Sequence, residues 1–301
     1  MTSGLRRGVG PWPTDNREAT VSAWLLGRLS GVESSERSGM VRWILDHVSG
    51  QTKGDRLAQD MKWQEAQLDR LAVFADRVNE GEPLQHVLQE VWFDGLRLGA
   101  SAKALIPRPE TEELVAAMAA KVDLKSAKTS RIVDWCTGSG CLALALKNRF
   151  PHAEVHGFDV SEEALTVAKA NASATELEVR FDLQDMLCAI PPHVPYDMVV
   201  CNPPYIPRAD AKDMHPRVLD HEPHLALFVP DDDPLVFYNQ LVAWCTDGGL
   251  RSSGWLGMEC HTEKAGDVAA LLVPSRGWKD VEILSDLQGL PRHVVARLEL
   301  P

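Results

Sequence analysis

The sequence lacks a basic excess: Lys and Arg total 31 against 43 Asp and Glu, a net charge of −12. A protein that held nucleic acid mainly by neutralising phosphates would carry the opposite balance, because counterion release supplies that affinity. A general nucleic-acid partner is therefore demoted, although a local basic patch is compatible with the total. Cysteine is scattered. Cys136, Cys141, Cys188, Cys201, Cys245 and Cys260 form no Cys-x-x-Cys pair and no compact set with histidine. That argues against a disulfide framework and a structural zinc site. No apolar run approaches the ~20 residues of a membrane span, and the opening residues have no signal-peptide core. These absences lead us to expect a reduced, cytoplasmic, globular protein with no membrane partner. At 301 residues and 45% hydrophobic content it can bury one large core or two unequal ones.

Residues 1–16 are rich in Gly, Pro and Arg and predict a disordered tail. From 17 to 82 the apolar period is helical: Val21, Trp24, Leu25 and Leu29, then Met40, Val41, Ile44, Leu45 and Val48, then Leu68, Leu71, Ala72, Ala75 and Val78. This is a small helical domain, with Trp24, Trp43 and Trp63 expected to pack it. Over 83–105 the pattern shortens around Asp94-Gly95, a dipeptide that favours a tight hairpin turn and predicts a β-hairpin linker. Pro109 and the acids Glu110, Glu112 and Glu113 then open a helix.

From 106 to 301 strands and helices alternate. Strands are predicted at 131–135, 154–158, 178–181, 197–201, 255–259, 280–284 and 294–298, and helices at 142–149, 162–172 and 235–245. The alternation predicts an α/β, doubly wound sheet with its ligand crevice at the strand C-termini.

The first strand of this sheet ends in Asp134 and turns through Cys136-Thr137-Gly138-Ser139-Gly140 into a helix. Two glycines let the backbone turn tightly beside a ligand, and Asp159, at the end of the next strand, can accept from both hydroxyls of a ribose. Asp134 would sit badly beside a pyrophosphate but suits a ligand carrying sulfonium and ammonium charges. The cofactor expected is S-adenosylmethionine. At the end of the fourth strand stands Asn202-Pro203-Pro204-Tyr205. Two prolines stiffen the loop and remove competing donors. The Asn202 side-chain oxygen and the Pro203 carbonyl can then accept both N–H bonds of a planar –NH₂ group, with Tyr205 over its face. That arrangement suits methyl transfer to an amide or aromatic amine, whose delocalised lone pair needs aiming more than deprotonation.

The stretches Asp134 to Cys141, Asp159 and Asn202-Pro-Pro-Tyr-Ile206 resemble the release-factor glutamine methyltransferase family. So do Leu105-Ile-Pro-Arg-Pro-Glu-Thr-Glu-Glu-Leu-Val115, Gly81-Glu-Pro-Leu-Gln85, Glu222-Pro-x-x-Ala-Leu227 and Asp286-Leu-Gln-Gly-Leu-Pro-Arg292. The resemblance runs from about Arg17 to the C-terminus. It implies a Rossmann-like, seven-stranded class I methyltransferase domain (106–301) preceded by a small α-helical substrate-recognition domain (17–82) and the hairpin linker (83–105). It implies methylation of the glutamine side-chain amide in the Gly-Gly-Gln loop of peptide-chain release factors.

Among residues, the resemblance assigns Cys136, Thr137, Gly138, Ser139 and Gly140 to the cofactor loop and Asp159 to the ribose. It sets Gln184, Asp185 and Met186 beside the adenine, and Asn202, Pro203, Pro204 and Tyr205 around the substrate amide. Arg108, Glu110 and Thr111 would line the methionine end. The chain departs from the family at Met186, often an aromatic, at Gly257-Met-Glu-Cys-His261 and at Val229-Pro-Asp-Asp-Asp-Pro234. Other readings of the same motifs are methylation of another protein glutamine, such as one in a ribosomal protein, of a nucleic-acid exocyclic amine, or a non-catalytic scaffold. Asp220-His-Glu-Pro-His224 reads as a loop over the site and not as a metal centre, since Pro223 breaks the helical face that would align its histidines. Asp231–Asp233 reads as a solvated capping loop. The protein is expected to be a monomer whose acidity suits a basic protein surface.

Overall fold

The amphipathic stretches before residue 90 fold as α1 (Glu18–Arg28), α2 (Ser34–Ser49), α3 (Lys53–Ala58), α4 (Glu65–Asn79) and α5 (Leu84–Leu88). The structure, a computed structural model, describes residues 8, 10–121, 130–273 and 276–300. The tail expected over 1–16 lies partly outside them. The apolar stripes read from the sequence bury against one another, with Leu25, Ile44, Leu71 and Ala75 fully inside. Gly50, at φ 69°, stops α2, and the Thr52 hydroxyl caps α3 by accepting from Asp55 N. Trp63 is buried as expected, but Trp43 is exposed on the helix surface.

A charged side chain also lies inside this core. Arg56, fully buried, donates to Glu18 at 3.0 Å, to Asp46 at 2.6 Å and to Gln51 O at 2.6 Å, while Glu18 also accepts from Trp63 Nε1 at 2.9 Å.

The chain divides into two compact units. The first holds these helices to Gln89 together with the downstream segment Pro216–His221. The second begins at Glu90, so the hairpin β1 (Glu90–Phe93) and β2 (Leu96–Gly99) belongs to it. Asn171 binds the hairpin there, accepting from Gly99 N at 2.7 Å and donating to Ser139 O at 2.9 Å.

The second unit continues with α6 (Pro109–Lys121), β3 (Arg131–Trp135), α7 (Cys141–Arg149), β4 (Glu154–Asp159), α8 (Glu162–Thr175), β5 (Arg180–Leu183) and β6 (Tyr196–Cys201). The short β7 (Ile206–Pro207) follows. Beyond α9 (Pro216–His221), which belongs to the first unit, come β8 (Phe228–Val229), α10 (Val236–Trp244), β9 (Leu250–Glu259), α11 (Ala265–Ala270), β10 (Trp278–Ser285) and β11 (Pro291–Leu298).

Seven strands form one sheet in the order β10-β11-β9-β6-β3-β4-β5. It is parallel except where β11 runs antiparallel to both of its neighbours. Several strand bounds differ from expectation; β10 starts at Trp278 and β11 at Pro291, two and three residues earlier than expected. β5 lies two residues later than 178–181, because its register is set by pairing with β4 and only Phe181 in it is buried. β9 starts at Leu250, its exposed Arg251-Ser-Ser opening carrying no apolar signal. Buried side chains cover both sheet faces: Leu114, Met118, Leu144 and Leu146 on one, Val199, Tyr238, Leu241 and Trp244 on the other. Chain order reverses between β3 and β6, which leaves a crevice beyond their C-terminal ends.

Candidate active site

The turn after β3 is built on positive φ at Cys136 (56°), Gly138 (56°) and Gly140 (82°). A Cβ on Gly140 would stand 2.9 Å from the Phe181 ring and 3.1 Å from Ala168 Cβ, so the turn closes only with glycine there. Asp134 underlies the loop. It is wholly buried, and its Oδ2 accepts from the Thr137 hydroxyl at 2.6 Å and from Ala143 N at 3.1 Å, while Oδ1 has no hydrogen-bond partner.

Burial, partly offset by those bonds, raises the Asp134 carboxyl to about 7. Between its ordinary value of 3.8 and about 7 the folded chain holds a proton that the unfolded chain has released. This group's contribution to stability is therefore lost as pH rises through that window. Asp134→Asn should flatten part of the fall in melting temperature between about pH 4 and about pH 7, read by calorimetry; an unchanged slope would contradict the assignment.

Asp159 closes the other side of the loop: Oδ2 accepts from Gly138 N at 2.8 Å and Oδ1 from Ser161 N at 2.9 Å. Burial raises its carboxyl above the usual range, against the pull of these backbone donors. Asp159 borders a cleft, whereas Asp134 stays buried beneath the turn, off the cleft wall. Of the residues expected to bind cofactor, Cys136, Gly138, Asp159, Asp185, Met186 and Asn202 line it, as do Gln184 and Pro204. Leu105, Trp135, Val160, Leu225 and Phe237 add an apolar wall to which the sequence reading gives no role. In the sequence, a large apolar Val160 directly after the acid Asp159 is the one signal that could have found it. Asp185 also holds its own turn, accepting from Leu187 N at 2.9 Å.

The remaining expected residues stand away from the cleft wall. Thr137 and Ser139 are buried in the turn. Arg108 is turned to Glu222, donating at 2.6 Å, and Glu222 accepts from Ile106 N at 3.1 Å as well. Glu110 receives His293 Nε2 on its backbone oxygen at 2.9 Å. Thr111 is buried and reaches the cleft only through Asn202, whose Nδ2 donates to Thr111 Oγ1 at 3.2 Å. The Thr111 hydroxyl in turn donates to Glu259 Oε2 at 2.6 Å, and Tyr205 donates to Glu259 Oε1 at 3.4 Å. Glu259 is buried at the end of β9, its carboxyl raised to about 7 by that burial. It was part of a departing motif with no role assigned.

The 220–224 stretch is not one loop: Asp220 and His221 end α9 in the first unit, while in the second Pro223 lines the cleft and Glu222 is buried beside Arg108. Among the described residues no group of three or more His, Cys, Asp or Glu side chains is placed to hold a metal. Asp231 does not cap α10; its carboxylate accepts from Ala209 N at 2.8 Å. No helix among the described residues is long and apolar enough to cross a membrane.

Residues 111–221 match the family model described as the methyltransferase small domain. The release factor glutamine methyltransferase of Flavobacterium psychrophilum is 35% identical over 239 residues, 79% of this chain and 83% of that protein. The enzyme of the same name from Deinococcus radiodurans is 37% identical over 278 residues, 89% of this chain and 93% of the other. The solved protein-(glutamine-N5) methyltransferase (release factor-specific) of Alicyclobacillus acidocaldarius superposes with a TM-score of 0.40 at 26% identity, over 65% of this chain and 95% of its own.

Proposed function

The chain belongs to the release factor glutamine methyltransferase family, and from that premise we propose that it methylates the side-chain amide nitrogen of the glutamine in the Gly-Gly-Gln motif of peptide-chain release factors, using S-adenosylmethionine. The observation that carries the reading is Asn202. It stands at the C-terminal end of β6 on the cleft wall, with its Nδ2 committed to Thr111 and its Oδ1 left to accept.

The site fits the cofactor. Asp159 offers carboxylate oxygens at the strand end where a ribose binds, the glycine turn leaves the backbone bare, and Leu105, Val160, Met186 and Phe237 give the cleft apolar lining that suits an adenine. When bound, S-adenosylmethionine supplies a methyl group made electrophilic by its sulfonium. The chain's own residues do the rest. Asn202 Oδ1 and the Pro203 carbonyl accept the two N–H bonds of the substrate amide and aim its nitrogen. Both acceptors also stabilise the positive charge that develops on that nitrogen. Tyr205 bounds the planar group on one face and is kept neutral, burial pushing its phenol well above the usual value.

The helical unit is proposed to select the protein substrate, and the net charge of −12 suits a basic partner surface. Labelled S-adenosylmethionine, the purified chain and a release factor provide the test, with mass spectrometry to place the product. Label on the Gly-Gly-Gln peptide is the expected result. No label from a chain that binds cofactor, or equal labelling of an oligonucleotide, would overturn it. Asp159→Ala should weaken cofactor binding by roughly tenfold to a hundredfold, the worth of hydrogen bonds to a charged acceptor, read by isothermal calorimetry.

A further inference from the structure

An asparagine in this role has to present its oxygen, and not its –NH₂, to the substrate. An amide turned the wrong way would set donors against donors, yet the two ends of the Asn202 side chain are nearly identical in shape. Shape therefore cannot choose between them; the partner on the far side can.

That partner is Thr111 Oγ1, which takes the Asn202 N–H at 3.2 Å and gives its own proton to Glu259 Oε2 at 2.6 Å. A hydroxyl has one proton. With Glu259 ionised, that proton is committed to the carboxylate, only lone pairs face Asn202, and the amide answers with its –NH₂ group. The other carboxylate oxygen receives Tyr205 Oη at 3.4 Å, so the same group also holds the residue that bounds the substrate amide. Three elements converge to make this chain: Thr111 from the first turn of α6, Asn202 from the end of β6 and Glu259 from the end of β9. Tyr238 Oη donates to the Glu259 backbone oxygen at 3.0 Å and fixes the strand end that carries it.

We propose that Glu259 is a positioning residue for transfer: acting through Thr111, it sets which end of the Asn202 amide faces the substrate. The idea rests on the function proposed above, because it presumes a substrate –NH₂ group at Asn202 Oδ1. A carboxylate two hydrogen bonds away from the reacting nitrogen acts without touching it.

The test compares Thr111→Val, which keeps volume and removes the hydroxyl, with Glu259→Gln, which keeps volume and removes the carboxylate, at a pH above 7 where Glu259 is ionised. Each should lower kcat by about tenfold to a hundredfold, with KM and cofactor affinity unchanged within about threefold. The double variant should be no slower than the slower single one, because both substitutions break one relay. Thr111→Ser, which keeps the hydroxyl, should restore most of the rate. Losses that multiply in the double variant, a rate unchanged in Thr111→Val, or a loss in Thr111→Ser as large as in Thr111→Val would each overturn the proposal.

A wild-type chain that labels no Gly-Gly-Gln substrate defeats the functional reading instead, and the relay is then read without substrate. The Asn202 side-chain amide resonances, assigned by their loss in Asn202→Ala, should exchange slowly with water in the wild type and fast in Thr111→Val. Equal exchange in the two would also overturn the proposal.

Discussion

Asn202→Ala should lower kcat for transfer by about a hundredfold to a thousandfold while the chain continues to bind S-adenosylmethionine. The size follows from what is removed. A primary amide is a weak nucleophile at nitrogen, so the barrier depends on holding it in line and on receiving the charge that builds on it. Alanine deletes one of the two acceptors proposed for that purpose and leaves the Pro203 carbonyl as the other. The cofactor side of the cleft is held by different groups: Asp159 through Gly138 N and Ser161 N, and Asp134 through Thr137 and Ala143. None of those bonds involves Asn202, so the turn keeps its shape. The measurement pairs single-turnover labelling of a Gly-Gly-Gln peptide with cofactor titration by calorimetry. Wild-type turnover in this variant would remove the mechanism; a parallel collapse of cofactor binding would move Asn202 from the substrate to the cofactor.

The turn itself was legible because each of its constraints is local. Ile132 and Val133 end in an acid and then Gly138 and Gly140, and the positive φ that those glycines supply is a property of neighbouring residues. Asp159 was found by the same logic, one strand later. What escaped notice depends on convergence across the sheet. Glu259 lies 57 positions after Asn202 and 148 after Thr111, and no spacing rule brings α6, β6 and β9 to one point before the strand order is known. The same holds for Glu222, which reaches back 114 residues to Arg108. The resemblance sets Thr111 at the methionine end of the cofactor pocket. The structure turns it instead toward the underside of Asn202. At the sheet edge, apolar patterning failed for a different reason: β5 exposes Leu183 and buries only Phe181, so pairing and not burial sets where it begins.

Arg56→Ala should unfold the helical unit while leaving the methyltransferase unit able to bind cofactor. Arg56 was invisible as a core residue, since a lone arginine within a polar helical stretch reads as surface. Its guanidinium is nevertheless fully buried, bonded to Glu18, Asp46, Ser49 and the Gln51 carbonyl. Alanine would leave Glu18 almost wholly buried with Trp63 Nε1 as its hydrogen-bond donor and no opposing charge, a change that costs about 3–5 kcal/mol. A unit of under a hundred residues has a total stability of only about 5–10 kcal/mol, so the loss removes most of it. Arg56→Lys should fail nearly as badly, because an ammonium cannot span the same forked set of acceptors. The functional consequence separates the two units. If the helices select the substrate, methylation of an intact release factor should fall by far more than that of a short Gly-Gly-Gln peptide, which needs only the cleft. Circular dichroism during thermal unfolding reports the structural half, as an early transition absent from the wild type. Equal losses on protein and peptide would reject the recognition role, and an unshifted melting curve would reject the buried arginine as what holds the helices together.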